Sequence, residues 1–174
     1  MTDSDHRRHA VYESSLGPLT MVGGDDGLEA IYFPEHWTNP DATTFGDRVP
    51  LEELPCARLA ATQLGEYLDG QRRTFDLKLN PTGNEFQLSV WAILQEIPYG
   101  STVTYGDIAK QLGSVNLARR VGGAVGSNPL SIIVPCHRVI GSTGSLTGYA
   151  GGLERKRHLL QLEEPGADES GKLF

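Results

Sequence analysis

The strongest constraint on what this chain can fold into is a change of pattern at Asn80-Pro81-Thr82-Gly83. Before it, short apolar runs alternate with turn clusters. After it, apolar residues recur at helical spacing. A Pro- and Gly-bearing stretch between two such patterns reads as a linker. The 174 residues therefore divide into an α+β unit over residues 1–80, a mostly helical unit over 81–165, and a short tail over 166–174, each unit being the size of a small domain.

In the first unit, residues 11–15, 19–22 and 28–33 are strand-like. Gly17-Pro18 and Gly23-Gly24-Asp25-Asp26-Gly27 separate them, which predicts an antiparallel meander. The polar start, up to about His9, is expected to fray. Residues 34–50, rich in Pro, Asp, Asn and Thr, predict a loop. Residues 57–68 predict a helix whose apolar positions are Leu59, Ala60, Leu64, Tyr67 and Leu68, stopped by Gly70. Residues 75–79 alternate like one more strand.

The second unit opens with Asn84-x-x-Gln87, a capping-box spacing, and a helix with Phe86, Val90, Ile93, Leu94 and Ile97 on one face. Thr104-x-x-Asp107 starts a short helix closed by Gly113, and a third helix runs over residues 116–125. Helix, short glycine-containing turn and helix is the helix-turn-helix layout. Residues 130–134 form an apolar, β-rich run that reads as a buried strand leading into Pro135-Cys136-His137-Arg138. Residues 154–162 read as a final helix, basic at 155–157.

Net charge is −7, which argues against a polyanion partner, but its distribution does not. Residues 1–83 hold 7 basic and 14 acidic side chains, residues 84–162 hold 7 and 4, and residues 163–174 hold 1 and 4. The second unit thus carries a modest positive excess that permits DNA binding. No apolar run approaches the ~18–20 residues that span a bilayer. The polar N-terminus has no signal-peptide core, so a cytoplasmic protein is expected. Two cysteines, Cys56 and Cys136, make neither a disulfide framework nor a cysteine-rich zinc site. With no histidine pair at helical ligand spacing, no metal is expected.

Cys136 stands next to His137. Neighbours on an extended chain point opposite ways, so the pair makes a dyad only if the backbone turns there. Otherwise Cys136 is a small buried hydrophobe beside a chance histidine. Pro135 and the glycines that follow favour a shaped loop. Cys56 sits at a helix start with no base nearby and reads as packing. Arg119 and Arg120 are either a solvated helix face or a contact to phosphates or duplex. Gly122 and Gly123 cost about 1 kcal/mol each in mid-helix, so something must compensate, and close approach of another backbone, protein or DNA, is one answer.

The segment Ile133-Val134-Pro135-Cys136-His137-Arg138-Val139-Ile140 resembles the active-site signature of the O6-alkylguanine-DNA alkyltransferase family. The likeness extends to Ile97-Pro98-Tyr99-Gly100, Thr104-Tyr105-Gly106-Asp107, Ala118-Arg119-Arg120-Val121-Gly122-Gly123, Ser127-Asn128-Pro129 and Gly148-Tyr149-x-Gly151-Gly152, covering about residues 84–164. It implies a ribonuclease-H-like N-terminal lobe and a winged helix-turn-helix C-terminal lobe. It also implies a DNA-repair protein that takes the alkyl group of O6-alkylguanine, and of O4-alkylthymine, onto Cys136 once per molecule, without a cofactor.

The roles that the resemblance implies follow. Cys136 is the nucleophile, His137 a base acting through water, Glu163 the residue that orients His137, and Asn128 the holder of the turn. Tyr105 rotates the target phosphate and donates toward guanine N3. Arg119 fills the gap left in the base stack. Val125, Val139, Tyr149 and Ala150 form the pocket, with the Cys136 and Val139 carbonyls accepting from the guanine amino group. Gly106, Ser114 and Ser142 touch the DNA backbone. Double-stranded DNA is met from the minor groove, by a monomer or by cooperative arrays, and no membrane is involved. Some members carry Ser where this chain has Ala150, so alkyl groups larger than methyl are expected to be tolerated. The rivals are a lesion-binding protein that does not transfer, a damage sensor that activates transcription, and an unrelated cysteine hydrolase. Members that bind without repairing carry Trp at the nucleophile position, where this chain has Cys136.

Overall fold

The computed structural model describes residues 7–36 and 38–164. The residues separate into two compact units, 1–82 and 83–174. The tail predicted over 166–174 lies outside the described residues, as do residues 1–6.

In the first unit the meander forms as β1 (Arg8–Ser14), β2 (Gly17–Gly24) and β3 (Gly27–Tyr32). Successive strands pair antiparallel. Arg8 and His9 belong to β1 rather than to a frayed start, because they pair with Gly23 and Val22. The stretch expected to be loop contributes β4 (Asp47–Arg48), parallel to β1, which completes the sheet order β3-β2-β1-β4. Gly46 makes that pairing possible: its φ is 75°, and a Cβ there would collide with the Arg7 carbonyl.

Helix α1 (Pro55–Leu68) starts with proline in its first turn, where the missing N–H costs nothing. It ends in a Schellman arrangement: Gln71 N–H donates to Glu66 O and Gly70 N–H to Tyr67 O, with Gly70 at φ 79°. Ala57, Ala60, Ala61, Leu64 and Tyr67 are its buried stripe. Leu59, predicted to share that stripe, is half exposed.

Residues 75–79 do not form a ladder strand. They touch β3 at a single parallel bridge, Leu28 with Leu79. On the other side the Gln63 side chain takes the place of a strand: its Oε1 accepts Asp76 N–H at 2.8 Å and its Nε2 donates to Asp76 O at 3.0 Å. Alternation of burial therefore survives without a sheet.

In the second unit both predicted capping boxes close. Asn84 and Gln87 cap α2 (Glu85–Gln95), and Thr104 and Asp107 cap α3 (Tyr105–Gln111). A turn at Gly113, with φ 115°, leads through a short 3-10 segment into α4 (Ala118–Gly126). Trp91 Nε1 donates to Ala124 O at 2.8 Å and locks α2 onto α4. Two short strands, β5 (Val103–Thr104) and β6 (Val139–Ile140), pair parallel, and α5 (Leu153–Glu163) closes the unit. No helix among the described residues is long and apolar enough to cross a membrane.

The strand predicted over 130–134 is absent. Those residues are buried, but beyond a single bridge position at Leu130 they form consecutive turns and a bend. Ile132 sits at φ 73°, a conformation that costs a β-branched residue on the order of 1–3 kcal/mol. Asn128 secures it. Its Oδ1 accepts Leu130 N–H at 3.0 Å and its Nδ2 donates to Val134 O at 2.8 Å, so one buried amide bridges the turn.

Candidate active site

That turn delivers Cys136 into a 3-10 turn, Cys136–Arg138, beginning at Pro135. The backbone thus bends where a Cys-His dyad needs it to. Cys136 is 6% exposed and His137 is fully buried. Burial pushes the Cys136 thiol upward. A hydrogen bond from Asn128 and the charge of Lys156 oppose that shift. The resting sulfur is therefore a protonated thiol.

His137 is held neutral. Burial lowers its pKa, the Glu163 carboxylate opposes that, and the charges of Arg138 and Lys156 add to the lowering. His137 Nε2 lies 2.7 Å from Glu163 Oε2. A carboxylate only accepts, so Nε2 carries the proton and Nδ1 is left with its lone pair. Nδ1 is buried and has no hydrogen-bond partner among the described residues. The Nδ1 lone pair is thus the one site on this imidazole that can accept a proton.

Glu163 is itself clamped. Arg138 donates from Nε to Oε1 at 2.7 Å and from Nη2 to Oε2 at 2.9 Å, and its Nη1 donates to Ile97 O at 2.6 Å. Tyr99 donates its hydroxyl to Leu162 O at 3.1 Å and fixes the end of α5 beside Glu163. The guanidinium holds the buried carboxylate in place with two hydrogen bonds, and the carboxylate keeps the imidazole in one tautomer.

Two functional side chains were missed at the sequence level: Arg138, quoted only as part of a motif, and Lys156, one of three basic residues in a row. Lys156 is 1% exposed. It donates to Val139 O at 2.7 Å and Thr147 O at 3.0 Å. Burial lowers its pKa, and the neighbouring Cys136 opposes that. Lys156 stands three residues before Leu159, and both are buried while Arg157 and His158 between them are exposed; that helical spacing from an apolar position is the signal that a position-by-position reading could have used.

The other predicted residues divide into two groups. Val125, Val139, Tyr149 and Ala150 are all buried in this unit. The Val139 carbonyl accepts from Lys156 at 2.7 Å. Tyr105, Gly106 and Ser114 are half-buried, while Arg119 and Ser142 are exposed. Tyr105 heads α3, with Gly122 of α4 beside its ring. Ser114 caps the 3-10 turn by accepting Asn116 N–H. Arg120 stacks over Phe86 at 4.0 Å, whereas Arg119 stands beside it on the exposed face of α4. Of the two backbones that could approach the helix glycines, the protein's own does not do so at Gly123, where a Cβ would meet nothing within 4 Å.

A cavity of about 360 Å³ reaches this network only through Glu163, and none of the predicted pocket residues lines it. Cys56 is a half-buried thiol whose pKa burial raises. Among the described residues no cluster of His, Cys, Asp or Glu is placed to hold a metal.

Comparison with known proteins places this geometry. Residues 85–165 match the family described as 6-O-methylguanine DNA methyltransferase, DNA binding domain. Residues 8–81 match its ribonuclease-like domain. The methylated-DNA–protein-cysteine methyltransferase of Methanosarcina acetivorans is 44% identical over 164 residues, covering 89% of this chain and 97% of that protein. The one from Mycobacterium tuberculosis is 45% identical over 170 residues, covering 93% and 95%. The crystal structure of Mycobacterium tuberculosis O6-methylguanine methyltransferase superimposes with a TM-score of 0.81 at 43% identity, covering 91% of this chain and 93% of that one. That of Mycobacterium tuberculosis OGT in complex with DNA gives 0.80 at 41% identity, covering 92% and 96%. A buried His137-Glu163-Arg138 network next to a buried Cys136, in a chain so related along nearly its whole length, leaves one assignment: the chain belongs to the O6-methylguanine-DNA methyltransferase (methylated-DNA–protein-cysteine methyltransferase) family.

Proposed function

We propose that this protein repairs O6-alkylguanine, and O4-alkylthymine, in double-stranded DNA by moving the alkyl group onto Cys136, once per molecule. One observation carries the reading: a buried thiol beside a neutral His137 whose Nε2 is tied to Glu163 and whose Nδ1 is left as acceptor. His137 takes the thiol proton through a water. Sulfur attacks the saturated carbon in line, the carbon–O6 bond breaks, and its electron pair passes into the guanine ring. The ring takes up one proton by way of Tyr105, which balances the one lost by the thiol. The thioether that results has no ready leaving path, so the protein is consumed.

A thiolate cannot reach O6 inside a duplex, so the nucleotide must be flipped out, at a cost of a few kcal/mol. Arg119, exposed on α4, enters the stack in its place. Gly106, Ser114 and Ser142 meet the DNA backbone, and the glycine face of α4 lets the duplex come close from the minor groove. The Cys136 and Val139 carbonyls read the guanine amino group, Val125, Tyr149 and Ala150 enclose the base, and Asn128 holds the turn. The protein acts in the cytoplasm, where its thiol stays reduced, as a monomer or in cooperative arrays along DNA. Ala150 in place of a serine leaves room for a benzyl group, and an O6-benzylguanine duplex that never reacts would exclude that.

Intact mass after mixing with a duplex containing one O6-methylguanine tests the reading. The expected gain is one methylene, saturating at one per protein, absent in Cys136→Ala and retained in Cys56→Ala. Tight binding without any gain would make this a lesion-binding protein instead.

A further inference from the structure

Tyr105 and Thr147, 42 residues apart, join their hydroxyls at 2.7 Å. Thr147 lies in the irregular segment between β6 and α5, and its backbone carbonyl accepts from the buried ammonium of Lys156 at 3.0 Å. The same ammonium holds the Val139 carbonyl at 2.7 Å. Thr147 is thus held from behind by α5 while its side chain holds the first residue of α3. Being β-branched, it has few χ1 options, which fixes where its hydroxyl points.

We propose that Thr147 is a positioning residue for alkyl transfer: its hydroxyl holds the Tyr105 oxygen and donates to it while Tyr105 donates to the guanine ring. This rests on the function proposed above. A hydroxyl offers one donor and two acceptor positions, so Tyr105 can give its proton to a ring nitrogen and still accept from Thr147. A donor placed behind a phenol polarises its O–H bond and strengthens it as a donor in turn. The demand peaks when the carbon–O6 bond breaks and charge develops on the ring, so the effect falls on the chemical step. Thr147 itself neither gains nor loses a proton.

Single-turnover methyl transfer from an O6-methylguanine duplex, followed by intact mass, tests the proposal alongside duplex affinity and melting temperature. Thr147→Val keeps the shape and removes the hydroxyl. It is expected to slow the transfer step roughly three- to tenfold, the worth of one hydrogen bond, with affinity and melting temperature unchanged. Thr147→Ser restores most of the rate. In a Tyr105→Phe background, Thr147→Val adds nothing. A wild-type rate in Thr147→Val, or an equal slowing in the Tyr105→Phe background, overturns the proposal alone. A wild-type protein that gains no methyl overturns the functional reading and this proposal with it.

Discussion

Arg138 and Glu163 meet through two buried hydrogen bonds, at 2.7 and 2.9 Å, on the same carboxylate that accepts from His137 at 2.7 Å. The pair is a structural brace and an electrostatic one together. Glu163→Gln leaves the buried guanidinium without its counter-charge, which is expected to cost about 3–5 kcal/mol of stability. Urea unfolding measures that loss. Single-turnover transfer measured in parallel should slow as well, because the amide can present either its oxygen or its nitrogen to His137 and no longer specifies one tautomer.

Lys156 sends both of its hydrogen bonds to carbonyls, so its charge acts on the thiol nearby without a carboxylate between. Replacing it with methionine keeps the bulk and removes the charge. The Cys136 pKa, already raised by burial, must then rise further. The pH profile of single-turnover methyl transfer should move to higher pH. Each unit of that shift lowers the thiolate fraction about tenfold at neutral pH. An unmoved profile would show that the ammonium serves only to tie β6 to the loop.

How far the site could be read in advance depended on whether its parts were local. Asn84 with Gln87 and Thr104 with Asp107 announce helix starts within four residues, and both boxes close. The Pro135–Val139 motif is contiguous. Lys156 and Thr147 join Val139 and Tyr105 across 17 and 42 residues, and periodicity carries no trace of such a meeting. The run at 130–134 misled for a different reason: a buried apolar segment looks the same whether its polar backbone is satisfied by a ladder or by the Asn128 amide. Gln63 deceived in the same way at Asp76.

Gly123 faces open space on an exposed helix position. Gly123→Ala should therefore stabilise the free protein, by up to about 1 kcal/mol from helix propensity. If α4 meets DNA, the same methyl should weaken duplex binding. Melting temperature and duplex affinity moving in opposite directions is the expected result, and parallel improvement in both would remove α4 from the interface.

His36 is buried in the first unit, and burial lowers its pKa to about 4. Its unfolded value is about 6.5. Below that pH the unfolded chain takes up a proton that the folded chain refuses. Stability is thus whole above about pH 6.5 and is lost progressively as pH falls toward 4. His36→Phe should flatten this part of the curve in urea unfolding from pH 7 to 4.

A reagent that works once must survive until it is needed. Oxidants and stray electrophiles in the cell consume thiolates that they can touch. Cys136 offers them almost nothing, being 6% exposed and kept as a thiol, so its shelf life is set by burial rather than by the reactivity of sulfur. If the function proposed above holds, the burial that protects the thiol also selects its substrates: alkyl groups that arrive carried on a base.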